Sequence, residues 1–198
     1  MTHRLAEVLE ELLAGGADFG SLSVDRIIRG ANIARSTFYI YFADKGELLG
    51  TVGGRAVSAV IEASRDWSAF PDDGTRDELR EIFAGLVRTY RAHANILRAM
   101  DDAAPSAPTV RAELKRLVRI GTLELTRHVA AAQQRGAVRP DLDPAATVAW
   151  LVSMVERGLY QHTRDTTDPD RASDALAGIV WFTLYADTRA ERALKVGP

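Results

Sequence analysis

The stretch SVDRIIRGANIARSTFYIYFADK, residues 23–45, decides the fold, because it spells two short helices separated by a tight turn. Ser23 offers a hydroxyl that can accept an orphan amide hydrogen at the start of a helix over 24–30, and Ile27 with Ile28 gives that helix an apolar side. Gly30-Ala31-Asn32 ends it, since asparagine tolerates the left-handed backbone such a turn needs. A second helical pattern follows over 33–42, with Phe38 and Phe42 four apart on one face. Arg35, Ser36, Thr37, Tyr39 and Tyr41 fall off that face. A helix anchored by aromatic rings and presenting a guanidinium, hydroxyls and phenols can enter a DNA major groove and meet base edges and phosphates there.

Upstream, Leu5, Val8, Leu9, Leu12 and Leu13 lie at helical spacing over 3–14, a scaffold helix stopped by Gly15-Gly16. Phe19 and Leu22 in the following loop point to the small core. Downstream, Asp44 and Glu47 form a capping box, so a long helix is expected over 45–67, with Leu49, Val52, Ala56, Val60 and Trp67 as its apolar stripe. At ~1.5 Å per residue it would be about 35 Å long, enough to run from one domain into another. Pro71 and Asp72-Asp73-Gly74 mark a loop, and Thr75 with Glu78 is a second capping box. The helix it opens has Leu79, Ile82, Phe83, Leu86 and Tyr90 on its buried side. A short helix over 95–102 and a long one over 109–135 follow, the latter burying Val110, Leu114, Leu117, Gly121, Leu125 and Val129. Asp143-Pro144 and Asp168-Pro169 each place an N-cap before a first-turn proline, predicting helices over 144–163 and 169–188. Both carry too much apolar surface for helices with one face in water: Val148, Leu151, Val155, Gly158 and Leu159 on the first, Leu176, Ile179, Val180, Phe182 and Tyr185 on the second.

The chain has 198 residues, 46% of them hydrophobic, enough for a small and a larger domain with a substantial core. It contains no cysteine, which excludes disulfides and thiolate metal sites, and its four histidines form no HxxxH pair. No apolar run approaches ~18 residues and no signal-peptide layout opens the chain, so a cytoplasmic, membrane-free protein is expected. There is no nucleophile elbow, P-loop or dinucleotide fingerprint, so neither an enzyme nor a cofactor is expected. Net charge is −2, and residues 1–50 hold five cations (Arg4, Arg26, Arg29, Arg35, Lys45) against seven acids (Glu7, Glu10, Glu11, Asp18, Asp25, Asp44, Glu47). That balance disfavours non-specific polyanion binding and leaves room for a few focused contacts.

ARSTFYIYFADKGELL, preceded by SVDRIIRGANI, resembles the helix-turn-helix signature of the TetR-type transcriptional regulators. The STFYIYF wording and the later MVERGLY and IVWFTLYA segments are similar to the ethionamide-resistance-repressor (EthR) subgroup. The resemblance implies an all-α, TetR-like fold of about nine helices. Residues 1–50 would be a three-helix DNA-binding domain and 51–198 a helical ligand-binding and dimerisation domain. It also implies that Arg35, Ser36 and Thr37 approach bases, while Tyr39, Tyr41 and Lys45 hold phosphates. Leu86, Tyr90, Met100, Trp150, Met154 and Trp181 match or neighbour positions lining a cavity for a small lipophilic effector. The last two helices would pair with their mates in a homodimer through Leu151, Val155, Gly158, Leu159, Ile179, Phe182 and Tyr185, the partner of the protein being a double-stranded DNA operator.

Several residues depart from the family pattern. Ala34 stands where a capping serine is common, and Asp25 puts a carboxylate where a base or phosphate donor is usual, so it is expected to repel phosphate. Ile40 supplies only apolar contact. Val152 and Val155 replace the amide side chains that orient ligands in the subgroup, and Trp150 is bulkier than its counterpart. The resulting reading is a dimeric, ligand-released repressor. Its rival is a helical small-molecule-binding or dimerisation module with weak or no specific DNA affinity, motivated by the acidic balance, Asp25 and Ala34.

Overall fold

The computed structural model describes residues 1–162 and 168–186, with Leu117 and His162 described by their backbone alone. The described residues form nine α-helices and no strand: α1 Thr2–Ala14, α2 Val24–Ala31, α3 Arg35–Tyr41, α4 Lys45–Ser68, α5 Arg76–Ala92, α6 Ala94–Ala103, α7 Pro108–Gln134, α8 Pro144–His162 and α9 Pro169–Leu184. The helices fall where the capping signals put them. Both caps form: Thr75 N donates to Glu78 Oε2 at 2.6 Å while Glu78 N donates to Thr75 Oγ1 at 3.2 Å, and Glu47 N donates to Asp44 Oδ1 at 2.8 Å with Glu47 Oε2 accepting from Ala43 N, one residue before the cap, at 2.6 Å. Asp143 and Asp168 accept from the amides of Ala146 and Asp170, as the Asp-Pro pairs predict. The last predicted residue of α8 and the last two of α9 lie outside the described residues, and α9 ends at Leu184, before Tyr185.

The chain divides into two compact units that alternate along the sequence. The first comprises residues 1–59 and 93–117: α1 to α3, the opening part of α4, α6 and the start of α7. Its core gathers Leu5, Leu9, Leu13, Phe19, Leu22, Ile27, Phe38, Phe42, Leu48 and Leu49, all buried. Two glycines allow close helix approach within it. A Cβ at Gly30 would sit 2.6 Å from Val8 Cγ1, which seats α2 on α1. A Cβ at Gly53 would overlap the Met100 side chain, so α6 rests directly on the bare backbone of α4. Met100 is completely buried there.

The second unit comprises residues 60–92 and those described from 118 onward: the end of α4, α5, most of α7, α8 and α9. Its core stacks rings, with Trp67 edge-on to Phe83 at 5.2 Å and Phe70 tilted against Tyr185 at 5.2 Å. Polar ties fix its loops. Arg135 forks onto Asp72 through Nε and Nη2 at 2.6 and 2.8 Å, Gln133 Nε2 donates to the carbonyls of Arg139 and Leu142, and Arg76 pairs with Asp174 at 2.7 Å. No helix among the described residues is long and apolar enough to cross a membrane.

Candidate nucleic-acid interface and ligand cavity

The turn between α2 and α3 is built as the sequence predicts. Ser23 Oγ accepts from Arg26 N at 3.2 Å, and Asn32 adopts φ 50°, ψ 52°, where its amide and that of Ile33 close back onto carbonyls of α2. The second helix is shorter than the 33–42 pattern suggests. It runs Arg35–Tyr41, and Phe42 is already extended. Ala34 occupies its N-cap with no side-chain hydrogen bond, so the missing serine does cost α3 a cap. What holds α3 is its buried side: Phe38 is fully buried and lies 5.7 Å from the Phe42 ring and 5.3 Å, edge-on, from Tyr39. Rigid attachment leaves the opposite side in solvent. Arg35, Ser36, Tyr39, Ile40 and Tyr41 are exposed and Thr37 is half-buried.

Two charged residues behave differently from the expectation. Asp25 does not stand alone as a repelling charge. Its Oδ1 accepts from Arg35 Nη1 at 2.6 Å, while the same guanidinium lies 5.7 Å from the Tyr39 ring centroid. The Asp25 carboxylate foremost, with Tyr39 adding, pushes Arg35 above its ordinary value and keeps it cationic. Lys45, expected at a phosphate, is engaged inside the protein. Its ammonium donates to three carbonyls of the α1–α2 loop, those of Phe19, Gly20 and Leu22, at 2.9, 2.7 and 2.8 Å. It also lies 5.0 Å from the Phe19 ring centroid. An ammonium has three hydrogens, and here all three have acceptors within the protein. Lys45 is therefore a clip holding the loop in front of α2 against the start of α4.

Ile40 stands outside the set of contacts that the sequence pattern names, yet it is 77% exposed and shares a face with Ser36 and Thr37, four and three residues before it. That spacing is the signal that identifies it. Ile40 thus presents an apolar side chain on the exposed face of α3.

In the second unit, a cavity of about 490 Å³ opens among α5, α8 and α9, lined by Val87, Arg91, Met154, Gly158, Leu159, Pro169, Arg171, Ala172, Ala175, Leu176 and Ile179. Of the six residues expected around a ligand, Met154 lines it. Leu86 and Tyr90 are buried on α5, and half-buried Trp181 stacks against Tyr185 at 5.9 Å. Two expectations need correcting. Met100 belongs to the first unit, where it covers Gly53, and Trp150 points outward with 79% of its surface exposed. The interface set divides as well. Leu151, Val155, Leu159 and Tyr185 are buried within the chain, because their helical faces turn toward the core, and Gly158 lines the cavity. Ile179 and Phe182 are exposed at 46% and 68% and, with Trp150, make up the outward apolar surface of α8 and α9.

Residues 12–52 match the family described as bacterial regulatory proteins, tetR family, a span that contains the whole α2–turn–α3 element and the Lys45 clip. Over 173 residues the chain is 27% identical to the HTH-type transcriptional regulator EthR of Mycobacterium tuberculosis, covering 85% of this chain and 80% of that protein. Residues 12–52 carry a tetR-family domain, and over most of its length the chain is similar to a TetR-type regulator. Solved structures agree on the fold. The TetR-family regulator PfmR of Thermus thermophilus superposes with a TM-score of 0.70 at 16% identity, covering 92% of this chain and 99% of that one. A TetR transcription regulator from Haloarcula marismortui does so with a TM-score of 0.71 at 14% identity, covering 92% and 97%. The matched segment assigns α2 and α3 to the DNA-binding element by which regulators of this family act.

Proposed function

We propose that this protein is a dimeric TetR-type repressor that binds a pseudo-palindromic operator and is released by a small lipophilic effector. The observation carrying the reading is α3: a short helix with a fully buried Phe38 on one side and Arg35, Ser36, Thr37, Tyr39, Ile40 and Tyr41 on the other. Arg35 forks onto a guanine, the Thr37 methyl and Ile40 lie against thymine methyls, and Tyr39 and Tyr41 hold phosphates. Lys45 positions this surface without touching DNA. Two copies of α3, about 34–36 Å apart, enter successive major grooves.

The exposed Trp150, Ile179 and Phe182 support dimerisation through α8 and α9, since side chains of that size remain in water at a hydrophobic cost of roughly 1.5–3 kcal/mol each relative to burial. The cavity among α5, α8 and α9, predominantly apolar with two arginines, supports a lipophilic effector. An effector that prefers a protomer arrangement with another α3 spacing weakens DNA binding by its differential affinity for the two arrangements. Helices α4 and α7, which contribute to both units, are the covalent route for such coupling.

The second reading, a ligand-binding or dimerisation module with weak DNA affinity, draws support from the internal engagement of three of the five cations in residues 1–50, Arg29 by the Asp25 carbonyl, Arg35 by the Asp25 carboxylate and Lys45 by loop carbonyls. Selection of genomic fragments by the purified protein separates the two. The repressor reading expects one enriched pseudo-palindrome, whose occupancy falls when a bound effector is supplied; the module reading expects no enrichment at any salt concentration.

A further inference from the structure

We propose that Asp25 is a specificity-determining residue, which disciplines Arg35 so that it reads a guanine and does not grip phosphate indiscriminately. This rests on the reading of α3 as the base-contacting helix. The ion pair crosses the turn of the helix-turn-helix, from the second residue of α2 to the first of α3, at 2.6 Å. Both side chains are more than half exposed, at 60% for Arg35 and 55% for Asp25, so the pair adds little to folding. Its position is what matters. Asp25 sits in the first turn of α2, where the helix dipole favours a carboxylate. The Arg35 guanidinium has the Asp25 carboxylate at 2.6 Å and the Tyr39 ring centroid at 5.7 Å.

A guanidinium carries five hydrogens in a rigid fork. Asp25 takes one of them on Nη1, and the remaining hydrogens can pair with O6 and N7 of a guanine while the ion pair persists. A phosphate approaching the same fork meets the anionic Asp25 carboxylate at close range and a guanidinium whose charge that carboxylate already offsets, whereas guanine O6 and N7 carry no net charge to repel. The carboxylate therefore penalises binding that relies on phosphate alone and leaves guanine reading intact. A free arginine at this position would raise affinity for every sequence; the held one raises the ratio between sequences, which is what a search among many competing sites demands.

The test uses the full-length protein with Asp25→Asn and Arg35→Ala, singly and together, each checked for an unchanged melting curve. Every protein is titrated against the selected fragment and against a shuffled duplex of the same composition at three salt concentrations. Asp25→Asn is expected to tighten binding to the shuffled duplex by about three- to tenfold. The salt dependence there should steepen by roughly 0.9 in log K against log salt, because the released guanidinium neutralises one more phosphate. Affinity for the selected fragment stays level or falls, so the ratio between the duplexes drops about tenfold. In the Arg35→Ala background, Asp25→Asn leaves the ratio unchanged. Equal tightening on both duplexes, or the same drop without Arg35, would overturn the proposal and make Asp25 a bulk charge. A wild-type protein that prefers no fragment overturns the reading of α3 itself, and the proposal with it, an outcome distinct from a preference that Asp25→Asn fails to move.

Discussion

Lys45→Met separates a structural clip from a phosphate ligand. Methionine keeps most of the aliphatic stem and its packing while removing the ammonium and its contacts with the carbonyls of Phe19, Gly20 and Leu22. The Gly20 acceptor is exposed and regains water, whereas those of Phe19 and Leu22 are part-buried, so two bonds carry the loss. Hydrogen bonds to a charged partner contribute about 1.5–3 kcal/mol each, and partial rehydration brings the pair to about 2–4 kcal/mol. For a protein of this length each kilocalorie lowers the melting temperature by about 2–4 °C, so the variant should melt roughly 4–16 °C below wild type. Calorimetry or chemical denaturation without DNA reads this directly. A change below about 0.5 kcal/mol, accompanied by weaker DNA binding whose salt slope falls by about 0.9, would refute the clip and restore Lys45 as a phosphate contact.

Three further outcomes follow from the geometry. Phe182→Glu places a carboxylate on the exposed apolar surface of α8 and α9 and should raise the dimer dissociation constant by roughly thirtyfold or more, read by sedimentation equilibrium; an unchanged dimer would place the interface elsewhere. Gly30→Ala should lower stability by about 1 kcal/mol despite the better helix propensity of alanine, because the new Cβ meets Val8 Cγ1 at 2.6 Å; combining it with Val8→Ala should remove that penalty in a double-mutant cycle, and additive costs would show that the contact is not the cause. His128 is held below its ordinary pKa of 6.5, by burial first and then by Arg135, with Asp72 opposing. Because its folded pKa is lowered, the unfolded chain takes up the proton first, so stability is fully present above about pH 6.5 and is lost as pH falls from there toward the folded pKa. His128→Leu should flatten that part of the stability profile, and an unaltered slope would exclude His128 as its source.

The elements are legible in the sequence because their ends are chemically marked. Ser23, Asn32, the two capping boxes and the two Asp-Pro pairs each leave a backbone donor or a left-handed residue that one side chain serves locally, so spacing along the chain suffices to read them. Residues facing the core are legible wherever one face is apolar, as with Phe38, Leu79 and Phe83. On α8 and α9 that signal fails. Both sides of these helices are apolar, and periodicity cannot say which side turns inward; Trp150, expected at a cavity, stands in solvent, while Leu151, Val155 and Tyr185, expected at an interface, lie in the core. Partners distant in sequence are also out of reach. Nothing in the local pattern shows that Lys45 reaches carbonyls 23 to 26 residues earlier, or that Asp25 closes on Arg35 across a turn.

The central claim is that α3 reads DNA sequence, and the measurement closest to it is the ratio of affinities for the selected fragment and a shuffled duplex at one salt concentration, for wild type, Arg35→Ala and Thr37→Ala. The wild-type ratio should be about 10³ or more, reduced by roughly tenfold or more on loss of Arg35 and by a smaller factor on loss of the Thr37 methyl. A ratio near one for the wild type, or one that survives both substitutions unchanged, would contradict it.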